Sequence, residues 1–123
     1  MTHHIIKIGK ELGTNFLVGK VKFDEDEVNA LKNVFNILIE KNKKDKIRGK
    51  VDDDDKEKLE RFTKHANMCA CDKTVKIDYR FCCDAVNAIN EAIVKAENEG
   101  LDGIEELKAK MKEYQKLKYQ LKK

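Results

Sequence analysis

From Tyr79 onward the chain carries a helical signal that leaves little choice of architecture. Apolar residues recur at Tyr79, Cys82, Val86, Ile89, Ile93 and Ala96 in alternating steps of three and four. A second series runs through Ile104, Leu107, Met111, Tyr114 and Leu121. That spacing places each set on one face of an α-helix. Glu99-Gly100-Leu101-Asp102-Gly103 lies between them and reads as a turn. Residues 79–123 are therefore expected to form a helical hairpin, with residues 1–78 supplying a sheet and two further helices within one domain.

The N-terminal part has a different period. Ile5-Ile6-Lys7-Ile8 reads as a short strand, and Asn15 to Phe23 alternates, with Leu17, Val21 and Phe23 opposite Lys20 and Lys22. Gly19 within it marks a bulge or a close backbone approach. Asp24 and Glu27 have the spacing of a capping box and open a helix whose stripe is Val28, Leu31, Phe35 and Leu38, widened by Val34 and Ile39. That helix is expected to end near Lys41 to Lys44. Ile47, Gly49 and Val51 then alternate with basic residues, as in a short strand. Asp52 to Asp55 start a second helix with the stripe Leu59, Phe62 and Ala66, broken at 67–72. Thr74 to Tyr79 alternates again. The order β-β-α-(β)-α-β-α-α predicts an α+β fold: a small antiparallel sheet, built from the N-terminal hairpin and one or two further strands, packed against helices.

Composition removes several functions. Serine is absent, which rules out a serine nucleophile in this chain. Hydrophobic and charged residues are nearly equal, 41% and 40%, as in a folded core under a densely charged surface. No apolar run approaches the ~20 residues of a membrane span. The N-terminus lacks the pattern of a secretory signal, so a cytoplasmic location with reduced cysteines is expected.

His65, Cys69, Cys71, Cys82 and Cys83 put five zinc-ligating side chains within nineteen positions. Zinc knuckles space paired cysteines by two to four residues; here the gaps are one and none. Cys82 also falls on the apolar stripe, where a thiol behaves as a small hydrophobe. No metal or other cofactor is expected; His65, Cys69, Cys71 and Cys82 form the alternative zinc set. Asp52 to Asp55 lack the alternation, glycine and final glutamate of a calcium loop, and suit a helix N-terminus instead. A Cys69 nucleophile activated by His65 would need a third residue to orient the base, and none is evident. No glycine-rich phosphate loop occurs. The chain is expected not to be an enzyme.

The interaction readings remain. If the first helix of the hairpin began at Asp84, the second would extend beyond it. Tyr114, Leu117, Tyr119 and Leu121 would then offer apolar surface to a protein partner or a second copy. The leading expectation is a protein-interaction module acting as a homodimer or higher homo-oligomer, of the kind found among phage and mobile-element inhibitors of host defence machinery. The alternative is a nucleic-acid-binding accessory protein using Lys43, Lys44, Lys46, Arg48 and Lys50, although no aromatic residue interleaves with them. A further alternative is a small-nucleotide-binding protein with pockets between subunits. No membrane partner is expected.

Overall fold

The computed structural model describes residues 3–10, 17–47 and 53–122. Its elements run β1 (His3–Lys10), β2 (Leu17–Phe23), α1 (Glu25–Ile47), α2 (Asp53–Met68), β3 (Thr74–Asp78), α3 (Tyr79–Glu99) and α4 (Ile104–Leu121). This is an α+β fold with a C-terminal helical hairpin.

The three strands form an antiparallel sheet in the order β1-β2-β3. β2 is central, and its alternation is the one its sequence demands. Val21 and Phe23 are fully buried, while Lys20 and Lys22 face solvent. Val21 pairs with Ile5 on one side and Val75 on the other. The irregularity in the β1–β2 ladder lies between Ile5 and Lys7, not at Gly19, which pairs regularly with Ile8 and Ile77. After α2 the chain rejoins the sheet at the end of β2, where the Asp72 N–H donates to the Phe23 carbonyl at 3.1 Å. Asp72 holds a left-handed φ of 59°, a conformation that Asp tolerates better than most residues.

α1 begins as the sequence predicts. The Asp24 carboxylate accepts the Glu27 N–H at 2.8 Å. Val28, Leu31, Val34, Phe35 and Leu38 are buried along one face. The helix continues past Lys41–Lys44 to Ile47. Lysine is a good helix former and is favoured by the dipole at a C-terminus, so the basic run extends the helix. The expected short strand therefore loses Ile47, and its remaining residues Gly49 and Val51 lie outside the described residues.

α3 follows β3 without a loop. The Asp78 side chain caps it, accepting the Phe81 N–H at 2.8 Å. Its far end closes at Gly100, which adopts φ 66°, and the Leu101 N–H reaches back to the Ala96 carbonyl at 2.9 Å. This left-handed cap suits glycine because a Cβ would crowd the backbone there. α3 lies between α4 and α1, and α2 packs on α1. Ala85, Ala88, Ala92 and Ala96 are buried, so the close neighbours that these small residues admit belong to the same chain. The core joins Phe23, Phe35, Ile77, Phe81, Ile89, Tyr114 and Leu121.

Candidate functional site

Four sets of side chains could carry function: two buried polar clusters, the cysteines, and the charged faces of α1 and α4.

The first cluster ties α2 to α3. Asp84 is 3% exposed and accepts from three donors: Arg61 Nε at 2.6 Å, Arg61 Nη2 at 3.2 Å and His65 Nε2 at 3.0 Å. Burial alone would raise the Asp84 pKa. The hydrogen bonds from His65 and Arg61, with the guanidinium charge, outweigh it and hold the carboxyl below its ordinary value. The His65 ring packs between Phe35 and Phe81, with centroids 5.6 Å and 5.0 Å away. Aromatic walls and a carboxylate thus fix the imidazole in place. The thiol nearest in sequence does not engage that ring: Cys69 Sγ donates to the His65 backbone carbonyl at 3.3 Å. A His65-activated Cys69 nucleophile therefore lacks its key contact.

The second cluster ties the start of α1 to α4. Glu27 is 1% exposed. It accepts from Tyr114 Oη at 2.7 Å and from Lys110 Nζ at 2.9 Å. Only half of the expected capping box forms, because the Glu27 side chain turns inward to α4 while its N–H alone meets Asp24. Burial and the adjacent Glu27 carboxylate keep the Tyr114 phenol protonated well above its ordinary pKa. Both clusters fasten helices to one another.

The cysteines are dispersed in environment. Cys69 and Cys82 are buried, Cys83 is half-buried and Cys71 is exposed. Burial pushes the Cys69 and Cys82 thiols up to about 12, so both are protonated at neutral pH. The alternative zinc set is also divided by its partners: His65 is held by Asp84, and Cys69 by a backbone carbonyl. Among the described residues, no group of three or more His, Cys, Asp or Glu side chains is placed to hold a metal ion.

The expected partner surface changes most. α3 begins at Tyr79, not Asp84, and its 21 residues match the 18 of α4 along the hairpin. α4 therefore has intramolecular cover along its length. Tyr114, Leu117 and Leu121 are 0%, 3% and 2% exposed, inside the chain's own core. Of the four residues, only Tyr119 faces outward, at 80% exposure. The apolar overhang that motivated a dimer is filled from within.

The described part of the basic segment, Lys43 to Ile47, belongs to α1. Lys43 and Lys44 are exposed on the last turns of α1, where helical geometry spreads them around the axis. Lys41 beside them pairs with Glu91 of α3 at 2.8 Å. Lys46 lies on the same helix, and Arg48 and Lys50 fall outside the described residues.

The outward face of α4 is more concentrated. From Leu107 to Lys123 the sequence holds seven lysines and one acid, Glu113. Lys110 is spent on Glu27, and Lys118 lies over the Tyr79 ring at 5.8 Å. Lys108, Lys112 and Lys116 are exposed at four-residue steps, followed by Tyr119 three residues on. Lys112, Gln115, Lys116, Tyr119 and Gln120 surround one shallow concavity. Lys112 and Gln115 also line a second one between α3 and α4, with Ile93, Met111 and the carboxylates Glu97 and Glu105. In the sequence alone these lysines read as a solvated face, because evenly spread lysines on a helix are the ordinary pattern of one. The signal that distinguishes it is an aromatic ring on the lysine side of the helix.

Among the described residues, no helix is long and apolar enough to cross a membrane. No protein-family profile, no curated protein and no solved structure matches the chain.

Proposed function

We propose that the chain is a nucleic-acid-binding accessory protein that works through the outward face of α4. One observation carries this reading: Tyr119, 80% exposed, shares a concavity with Lys112 and Lys116, and the acids of this face, Glu97 and Glu105, lie towards the other end of α4 beside Lys108. Lys108, Lys112 and Lys116 succeed one another by about 6 Å along the helix axis, since each residue rises ~1.5 Å. A row of ammonium groups at that pitch lies along a phosphate backbone, and each neutralised phosphate releases a condensed counterion. Tyr119 adds a flat surface on which a base can rest.

A protein partner is the second reading, and Tyr119 favours it too. Tyrosine is enriched at protein interfaces, but lysine is depleted there. The neighbours of Tyr119 tip the balance towards nucleic acid. The test is binding of a labelled oligonucleotide at increasing salt, with Lys112→Glu/Lys116→Glu as the altered face and Lys43→Glu/Lys44→Glu as the control. The first pair should abolish binding and the second should leave most of it. The reverse pattern would return the function to the end of α1.

A further inference from the structure

Resting on the reading of α4 as the contact face, we propose that its ligand is a single strand, with one base stacked on Tyr119 and the flanking phosphates held by Lys112 and Lys116. In a duplex each base presents its flat face only to its neighbours in the stack. A protruding phenol ring then has nothing to pair with unless the duplex is unstacked at a cost. In a single strand the π-faces are available, and an aromatic side chain binds them with little regard for sequence. Tyr119 suits that use because its ring projects from the helix instead of packing in the core, and so is already presented to solvent. The side chains around it, Lys112, Gln115, Lys116 and Gln120, combine phosphate-binding ammonium groups with amides that can meet base edges. Arginine, the side chain most used to read guanine in the major groove, does not occur on α4.

The deciding experiment titrates the full chain against a fluorescein-labelled oligothymidylate and a mixed-sequence duplex of equal length, by anisotropy at low salt. Wild type should bind the single strand more tightly. Tyr119→Ala should weaken single-strand binding by between about fivefold and about 150-fold, the worth of one base–aromatic stack. It should leave duplex binding within about twofold of wild type. Tyr119→Phe keeps the ring and should keep the affinity. Circular dichroism should show both variants folded, since the side chain is outside the core. Equal or tighter duplex binding by wild type would overturn the single-strand assignment while leaving the contact face intact. So would a Tyr119→Ala variant that binds the single strand unchanged or loses both ligands equally. No binding of either nucleic acid at low salt would overturn the proposed function itself.

Discussion

Replacing Asp84 with Asn tests whether the buried link between α2 and α3 is a major support of the fold. The substitution preserves side-chain size and removes the charge. The carboxylate accepts three hydrogen bonds, two from Arg61 and one from His65. An amide in its place can accept from one donor, but its own N–H groups then oppose the others. Breaking one side of a buried ion pair costs about 3–5 kcal/mol, mostly because the remaining charge stays desolvated. The Arg61 side chain is 25% exposed and can turn partly towards water, which places the loss near the lower end, about 3 kcal/mol. In urea this is a midpoint shift of about 1–3 M, and on heating a fall of about 10 °C. The sign of the pH dependence is set by the lowered Asp84 pKa. A carboxyl held below its unfolded value stabilises fully above that value, and the contribution fades as pH falls through the folded value. The gap between wild type and Asp84→Asn should thus be full at pH 7 and shrink below about pH 4. Carboxylates common to both proteins cancel in the difference. A gap under about 1 kcal/mol at pH 7 would mean that the pair is solvated and refute the reasoning, as would a gap that does not shrink in acid.

Two further outcomes test the packing. Tyr114→Phe removes the phenol that donates to Glu27 at 2.7 Å and should cost about 1.5–3 kcal/mol in urea denaturation, the range for a hydrogen bond to a charged group. Native protein treated with a disulfide reagent at neutral pH should modify the exposed Cys71 first, with Cys69 and Cys82 reacting only on unfolding, because buried thiols with a pKa of about 12 supply almost no thiolate. Peptide mapping of the labelled chain reads this directly.

The features legible in the sequence were those that depend on local period. The 3.6-residue repeats of α3 and α4, the glycine turn between them and the alternation of β2 follow from side chains meeting one neighbouring surface. The polar clusters were less legible because their members are far apart in sequence and each has a local reading. Glu27 fits a capping box with Asp24, yet it also lies four residues before Leu31 on the buried stripe. Asp84 sits three residues after Phe81 and four before Ala88, an acid on an apolar face. His65, three residues beyond Phe62, is its counterpart on α2. Two polar residues on apolar faces of separate helices form a complementary pair only once the helices are known to pack together. The overhang of α4 failed for a simpler reason. Asp78 is a good N-cap and starts α3 at Tyr79, adding turns that cover Leu117 and Leu121.

If the lysine face of α4 holds phosphates, binding must weaken with salt in proportion to the number of contacts. The measurement is the affinity for a single-stranded oligonucleotide across a series of monovalent salt concentrations. Contacts by Lys108, Lys112 and Lys116 predict a slope of log K against log salt of about −2, since each phosphate neutralised on a single strand contributes about −0.7. Lys112→Glu/Lys116→Glu should remove the binding. A slope near zero, or binding that survives charge reversal at both positions, would contradict the account.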